Sequence, residues 1–203
     1  MTRPDPITRR HFIAPFALLP LAAAATSLGA TAAPKQSKGK RALVAYFSRS
    51  GNTRVIAGQI SRSLGAVLYE IEPAQPYPED YFQTVEQARR ERDSGFKPPL
   101  KGSVSNLDDY AVVYLGLPIW GETVPPVIRS FLATHNLSGK TLIPFITHGG
   151  YGVGNSKSVL GAHAPGARLL DASLVMQADQ ERQTVERVTR WLDDVQLQRR
   201  PRE

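Results

Sequence analysis

The stretch that decides the fold is Ala42-Leu43-Val44-Ala45-Tyr46-Phe47, followed directly by Ser48-Arg49-Ser50-Gly51-Asn52-Thr53. Its six apolar residues are continuous rather than alternating, which is typical of a strand buried on both faces of a parallel sheet. Apolar residues then recur every four positions at Ile56, Ile60 and Leu64, which predicts an amphipathic helix after the polar turn. A buried strand that leads through a short turn into a helix begins a β-α-β unit.

The same alternation continues along the rest of the chain. Four more segments are predicted to be strands: residues 66–72, 110–117, 141–147 and 168–176. Helical patterns are predicted near residues 79–93, 124–132 and 185–195. This order predicts an α/β doubly wound fold, a parallel sheet with helices on both faces and right-handed crossovers. Pro144 falls inside the fourth strand without an N–H to donate, so we expect a bulge or a locally unpaired position there.

The polar turn after the first strand has the composition of an anion site. Ser48, Ser50 and Thr53 supply hydroxyl groups, while Gly51 and Asn52 supply backbone N–H groups. Together with the positive end of the following helix, these groups favour a dianionic phosphate. The alternative is an ordinary turn whose serine or threonine only caps the helix.

Two further loops follow the third and fourth predicted strands. They are Pro118-Ile119-Trp120-Gly121 and Thr147-His148-Gly149-Gly150-Tyr151-Gly152. In a sheet of order 2-1-3-4-5, the loops after strands one and three flank the topological switch point, where ligands bind. A tryptophan there either stacks on a planar heterocycle or packs on the neighbouring helix, and the glycines allow a close approach of backbone to ligand.

Several common chemistries are excluded by missing residues. The chain has no cysteine, so a redox function would rest on a bound organic cofactor rather than on thiols or iron–sulfur clusters. Gly149 and Gly154 have the spacing of a nucleotide P-loop, but Asn155 stands where that motif requires lysine. The G-x-G-x-x-G and G-x-S-x-G motifs are absent. The four histidines show no metal-ligand spacing, so no metal site is predicted.

The charge of the chain is basic but mixed, with 25 Lys and Arg against 18 Asp and Glu. One basic run, Arg89-Arg90-Glu91-Arg92, lies in a predicted helix where acids alternate with the arginines. Such a pattern is typical of a solvated helix face, and we therefore predict no nucleic-acid partner.

The N-terminal residues 1–32 are predicted to be an export signal. Thr8-Arg9-Arg10-His11-Phe12-Ile13 precedes an alanine-rich apolar run, and Ala30-Thr31-Ala32 forms a small-residue cleavage pattern. This combination resembles a twin-arginine signal and predicts a periplasmic or otherwise exported protein. The alternative is an uncleaved N-terminal membrane anchor, although the run is short for a spanning helix. No stable membrane span is expected after cleavage.

Cleavage would leave a basic linker at residues 33–41, a folded domain at 42–196 and a basic tail at 197–203. The removed segment carries three arginines and one aspartate. The mature chain would therefore hold 22 basic against 17 acidic residues, a net charge of +5.

The three loops together resemble those of the flavodoxin family. Ser48-Arg49-Ser50-Gly51-Asn52-Thr53 is similar to the hydroxyl-rich phosphate loop of flavodoxins. The Pro118–Gly121 and Thr147–Gly152 loops look like the two isoalloxazine-contacting loops of short bacterial flavodoxin-like proteins. The resemblance covers residues 40–195, and it implies a five-stranded parallel sheet of order 2-1-3-4-5 with non-covalently bound FMN.

The resemblance also implies roles for individual residues. It assigns the phosphate to four side chains of the first loop: Ser48, Ser50, Asn52 and Thr53. Trp120 would border the flavin ring, and backbone groups of Gly149–Gly152 would meet its other side. Arg49 either pairs with the phosphate or points to solvent. Because the flavin performs the redox chemistry, no catalytic side chain is predicted.

Two functional classes follow from the resemblance. The first is an exported electron-transfer protein that exchanges electrons with a redox partner protein or a small donor or acceptor. The second is an FMN-dependent reductase of NAD(P)H or quinone on the same fold. A binding module without redox activity also remains open, because a fold alone does not define function. The basic charge departs from classical flavodoxins, which are strongly acidic and mostly cytoplasmic.

Overall fold

Strands and helices alternate along the chain in the computed structural model, which describes residues 41–171, 173–177 and 184–199. The strands are β1 Arg41–Tyr46, β2 Val67–Glu70, β3 Tyr110–Pro118, β4 Thr141–His148, β5 Arg168–Leu169 and β6 Leu174–Gln177. The helices are α1 Asn52–Leu64, α2 Tyr81–Ser94, α3 Pro126–Thr134, α4 Ser156–His163 and α5 Thr184–Arg199. The predicted signal at 1–32 lies outside the described residues.

The strands form one parallel sheet of order β2-β1-β3-β4-β5, and β6 also pairs with β4. β1 lies between β2 and β3, with Val44 opposite Leu68 on one side and Tyr114 on the other. The predicted doubly wound fold and its strand order 2-1-3-4-5 are confirmed. Right-handed crossovers are the general rule for such parallel connections.

The predicted fifth strand is interrupted in the structure. β5 pairs with the start of β4 through Leu142 and Leu169, and β6 pairs with its end from Phe145 and Leu174 onwards. Pro144 lies in the gap between these pairings, and its missing N–H faces that edge because the backbone direction alternates along a strand. The pairing of β3 with β4 continues through Pro144 without a bulge. The expected unpaired position is therefore confirmed, on the β5 side alone.

The sheet is covered on both faces by apolar helix residues. On one face α1 and α5 contribute seven buried side chains: Ile56, Ala57, Ile60, Val188, Trp191, Leu192 and Val195. On the other face α3 and α4 contribute Val127, Ile128, Phe131 and Leu160. α5 continues to Arg199, three residues into the segment predicted as a tail. Of the helices described, none is long and apolar enough to cross a membrane.

The segment between β2 and β3 forms an arm closed at its base. The Ala74 N–H donates to the Pro99 carbonyl at 2.7 Å, and the Lys101 N–H donates to the Glu72 carbonyl at 2.9 Å. Within the arm, Asp80 caps α2 by accepting the Gln83 N–H at 2.8 Å. The arm thus presents α2 as a separate wall beside the sheet.

A glycine in the centre of the sheet gives the first test of this packing. A Cβ on Gly116 would lie 2.2 Å from the ring of Phe145, which is fully buried and has no space to move. We expect Gly116→Ala to lower the free energy of unfolding by about 2–3 kcal/mol, measured by urea titration. Gly161→Ala is the control, because a Cβ there meets nothing within 4 Å. It should leave the free energy unchanged or raise it, and equal stabilities of both variants would contradict the packing.

Candidate functional site

The loops after β1, β3 and β4 meet at one edge of the sheet and line a cavity of about 470 Å³. This volume lies within the range typical of small-molecule sites. Eleven of the predicted site residues line the cavity: Arg49, Ser50, Asn52, Thr53, Pro118, Ile119, Trp120, Gly121, Thr147, His148 and Gly149. Five others do not: Ser48, Gly51, Gly150, Tyr151 and Gly152.

The first loop leaves the N-terminus of α1 without a capping side chain. Gly51 is the N-cap residue, with a φ of 96° that favours glycine, and it makes no side-chain cap. The Gly51 N–H donates to Ser48 Oγ at 3.1 Å, so the buried Ser48 side chain stabilises the turn. The N–H groups of a first helical turn have no partner within the helix. The end of α1 is therefore available to an anion.

A buried hydrogen bond joins the first loop to the third. Thr53 Oγ1 and Thr147 Oγ1 lie 2.8 Å apart, and both residues are almost fully buried. Thr53 belongs to the first turn of α1, whereas Thr147 lies near the end of β4. The bond holds the start of α1 against β4. It thereby fixes the position of the first-loop residues that line the cavity.

The second loop is a tight turn that carries a half-buried tryptophan. Trp120 and Thr123 exchange two backbone hydrogen bonds, of 3.1 and 3.4 Å, across Gly121 and Glu122. Both central residues have positive φ, 57° and 61°, as in a type I′ turn. The indole packs edge-to-face against Phe47 at 5.2 Å between centroids. Trp120 therefore lines the cavity and packs on aromatic side chains at its edge.

The aromatic cluster around Trp120 continues into the arm. Tyr77 packs edge-to-face on the indole with centroids 4.9 Å apart, and its hydroxyl donates to the buried Glu91 at 2.7 Å. Burial, together with the Glu91 carboxylate, holds the pKa of Tyr77 far above its usual range, so the phenol stays protonated as a donor. Gln87 also donates to Glu91 at 2.8 Å. Both bonds lie within the arm, and the packing of Tyr77 on Trp120 attaches the arm to the second loop.

The third loop is organised by a histidine. His148 Nδ1 accepts the N–H of Gly150 at 3.1 Å and that of Gly152 at 3.3 Å, so this nitrogen carries no proton in the structure. Two of the glycine N–H groups are therefore used inside the loop, and Gly149 alone of the three glycines lines the cavity. Tyr151 points outward with 88% of its surface exposed.

The third loop is also docked on the second. The Asn155 N–H donates to the Glu122 carbonyl at 3.1 Å. A Cβ on Gly154 would lie 1.9 Å from the same carbonyl, and Gly154 has a φ of 51°. Only glycine allows this close approach of the two backbones.

One wall of the cavity is formed by α2, which the sequence analysis did not place there. Its contribution comes from one face of the helix: Tyr81, Thr84, Val85, Ala88, Arg89 and Arg92. Thr123 and Pro126 complete the unpredicted part of the lining. The spacing of the α2 residues at intervals of three and four positions is the sequence signal for this face.

The prediction that residues 89–92 form a solvated helix face is wrong for the buried Glu91 and the half-buried Arg92, whereas the side chains of Arg89 and Arg90 are exposed. Arg89 and Arg92 lie on the cavity wall, and Glu91 is buried. Arg90 fits the prediction, with 65% of its side chain exposed. The physical reason is that α2 packs on α3 and the second loop, which turns this part of the helix inward.

The cavity is electrically positive. Three arginines line it, Arg49, Arg89 and Arg92, and the lining formed by the described residues contains no carboxylate. Arg49 donates to the Glu79 carbonyl at 2.5 Å, which ties the first loop to the start of α2. The Arg49 guanidinium thus bonds to backbone while bordering the cavity.

Comparison with known proteins identifies relatives of the same architecture. The family model described as flavodoxin matches residues 41–195. A protein of Bacteroides eggerthii DSM 20697, described as a flavoprotein, is 33% identical with a TM-score of 0.67, over 77% of this chain and 98% of that chain. Its counterpart from Bacteroides uniformis ATCC 8492 is 29% identical with a TM-score of 0.68, over 77% and 99%.

A flavoprotein of Lactobacillus acidophilus NCFM, crystallised in complex with FMN, shares the fold with a TM-score of 0.60. It is 20% identical, over 73% of this chain and 99% of that chain. No curated protein sequence matches the chain. The family match spans every strand of the sheet and all three loops of the cavity, and on this ground the chain belongs to the flavodoxin family.

Proposed function

We propose that this protein is an FMN-binding electron-transfer protein. One observation carries the proposal: the uncapped, hydroxyl-rich N-terminus of α1 and the half-buried Trp120 border the same cavity of about 470 Å³. A phosphate group and a planar heterocycle are the two ends of FMN, the cofactor of the family to which the chain belongs. When bound, FMN supplies one- or two-electron transfer, and the protein supplies binding and electrostatics.

The phosphate end of the site fits a dianion. Ser50, Asn52 and Thr53 border the cavity at the positive end of α1, where N–H groups are free of capping side chains. Arg49 adds a full positive charge on the same side. These groups would hold the phosphate, while the bond from Gly51 to Ser48 keeps the turn in shape.

The other end of the site fits a flat apolar ring. Ile119 and Trp120 offer apolar surface to the cavity, and Phe47 and Tyr77 fix the indole from behind. In the third loop, His148 accepts the N–H groups of Gly150 and Gly152 and holds their backbone in place, so that Gly149 lines the cavity. These residues would orient the ring and exclude water from its faces.

A reductase is the second candidate function, and the position of Arg89 and Arg92 favours it. Cationic side chains on the cavity wall suit a nicotinamide donor with phosphates, or another anionic substrate. Stopped-flow absorbance distinguishes the two. Fast and saturable bleaching of the bound flavin by NADPH defines a reductase, and slow bleaching by NADPH with fast bleaching by a one-electron donor defines a carrier.

We also propose that the protein is exported through the twin-arginine pathway. The support is the sequence of residues 8–32, with its paired arginines, apolar run and Ala-x-Ala pattern. This pathway carries folded proteins, which suits a chain that acquires its cofactor in the cytoplasm.

The first prediction from the proposed site concerns the phosphate. We expect riboflavin, which lacks the phosphate, to bind about a hundredfold more weakly than FMN, because charge-assisted hydrogen bonds are lost. Ser50→Ala should weaken the binding of FMN about fivefold and leave the affinity for riboflavin unchanged, since about 1 kcal/mol of hydrogen bonding to the phosphate is removed. Ser63→Ala, at the exposed far end of α1, is the matched control. Titrations followed by tryptophan emission measure all constants, and equal affinities for both flavins would exclude residues 48–53 as the phosphate site.

The second prediction concerns the third loop. His148→Ala removes the acceptor of two backbone N–H groups and should weaken FMN binding about thirtyfold, at about 1 kcal/mol for each neutral bond. His148→Asn keeps an acceptor oxygen in the side chain and should retain most of the affinity. The same emission titration measures both variants. An alanine variant that binds FMN as tightly as the wild type would show that the loop does not contribute to the site.

The third prediction concerns export. Replacing Arg9→Lys and Arg10→Lys together should retain the precursor in the cytoplasm, because the paired arginines are the recognition element of the signal. The wild-type protein should appear in the periplasm with an N-terminus near Ala33, read by mass spectrometry. An unchanged periplasmic yield of the double variant would contradict the pathway. Exported protein that still begins at Met1 would favour the membrane anchor.

A further inference from the structure

We propose that the Arg92 end of the cavity is a second anion site, which receives the phosphate or carboxylate group of a small-molecule electron donor or acceptor. The proposal rests on the proposed function, since it assigns the phosphate of FMN to the first loop and leaves the arginines of α2 for another ligand. It is carried by the position of α2, by the partners of its arginines and by the charge of the cavity.

The two ends of α2 lie at opposite ends of the site. Its start is tied to the first loop by the bond from Arg49 to the Glu79 carbonyl. Arg92 lies eleven residues after Tyr81 on the same face, about 16 Å further along the helix axis. There its Nη1 is directed at the second loop, 2.5 Å from where a Cβ of Gly121 would be. The start of α2 lies beside the first loop and its Arg92 end beside the second, so the two ends border different parts of the cavity.

Arg92 has donors left over for a ligand. Its Nε and Nη2 both bond to the Asp93 carboxylate, at 3.0 and 2.9 Å. Nη1 lies on the opposite side of the guanidinium, toward the cavity and Gly121. A guanidinium with two donors on an acid and a third toward a pocket is well suited to hold a second oxyanion.

A second guanidinium, which does not itself line the cavity, lies behind the turn of the second loop without an acid. Arg129 donates to Thr123 Oγ1 at 3.0 Å and to the Val124 carbonyl at 3.2 Å, both of which are neutral. No carboxylate of the described residues lies within ion-pair distance of it. Burial, and after it the like charge of Arg92, lowers the pKa of Arg129. An anion between the two guanidinium groups would relieve this repulsion.

The other charged groups on this wall leave it positive. Arg89 is paired with Glu86 at 2.8 Å and lies 3.7 Å from Asp93, both on the outer side of α2. The cavity side carries no carboxylate among the residues described. The neighbouring surface is apolar, formed by Val85, Ala88 and Trp120. The site therefore fits a molecule that combines an anionic group with a planar or apolar part.

The test is a calorimetric titration of the FMN-loaded full chain at constant ionic strength with two probes, inorganic pyrophosphate and benzoate. We expect at least one probe to bind. Arg92→Gln and Arg129→Gln should each raise its Kd about tenfold, as the loss of a charge-assisted bond predicts. Arg90→Gln is the matched control, because this neighbour on α2 carries the same charge away from the cavity. It should leave the Kd unchanged within about twofold.

The two probes separate the sources of the anionic group. Binding of pyrophosphate alone supports a phosphorylated partner such as a nicotinamide dinucleotide, and binding of benzoate alone supports a carboxylated aromatic one. Binding of neither probe overturns the proposal. Equal losses in Arg90→Gln and Arg92→Gln also overturn it, because they would reflect total charge rather than a site.

Two controls keep the test decisive. Arg129→Lys retains the charge, so it should bind the probe better than Arg129→Gln if Arg129 acts through its charge. Equal losses of affinity in the two variants would show that Arg129 has a structural role and would contradict its part in the anion site. If the protein takes up no FMN, the proposed function fails, and the same titration of the apoprotein by tryptophan emission still decides the anion site. Binding that depends on Arg92 supports the site, and binding that is indifferent to Arg92→Gln overturns it.

Discussion

The parallel pairing of β1 with both β2 and β3 is the constraint on which the site depends. Because the chain leaves β1 toward β2 on one side and reaches β3 on the other, the loops after β1 and β3 diverge and open a crevice at the sheet edge. The register places Tyr46, the last residue of β1, beside Gly116, so β3 extends two residues further to Pro118 before its loop begins. Gly116 in turn leaves room for the ring of Phe145 from β4, which brings the third loop to the same edge. Three loops that are far apart in sequence thus surround one ligand site.

Hydrogen bonds between the loops convert this crevice into a preorganised cavity. The buried pair Thr53 and Thr147 joins the first loop to the third, and the bond from Asn155 to the Glu122 carbonyl joins the third to the second. The arm adds the remaining wall, where Tyr77 donates to the buried Glu91 of α2 and packs on Trp120 of the second loop. A site held by bonds of this kind loses little free energy to reorganisation when a ligand binds. Its charge is positive at both ends, whereas its middle is apolar, which suits a phosphorylated planar cofactor and leaves one basic end for a second anion.

Local sequence patterns were enough to predict the buried strands of the sheet. The continuous apolar runs of β1, β3 and β4 predicted strands, and the resemblance to flavodoxins implied their order. The polar turn after β1 supplies four residues of the cavity lining, Arg49, Ser50, Asn52 and Thr53, as predicted. The sequence analysis missed α4, whose eight residues offer only Val159 and Leu160 as large apolar side chains. It also extended the fifth strand across the gap opposite Pro144, since pairing partners are not visible in one segment. The inward face of α2 was missed because the burial of Glu91 depends on Tyr77 and Gln87, and the bonds of His148 depend on a loop conformation.

The most direct test of this account is a crystal structure of the FMN-loaded protein, because it shows which end of the cavity takes the phosphate. The account predicts the phosphate oxygens within hydrogen-bond distance of Ser50, Thr53 and the first N–H groups of α1, with the ring against Trp120. It also predicts that Arg92 makes no contact with the phosphate. A phosphate bound at Arg89 and Arg92, with no ligand at residues 48–53, would contradict both the orientation of the cofactor and the assignment of the second anion site.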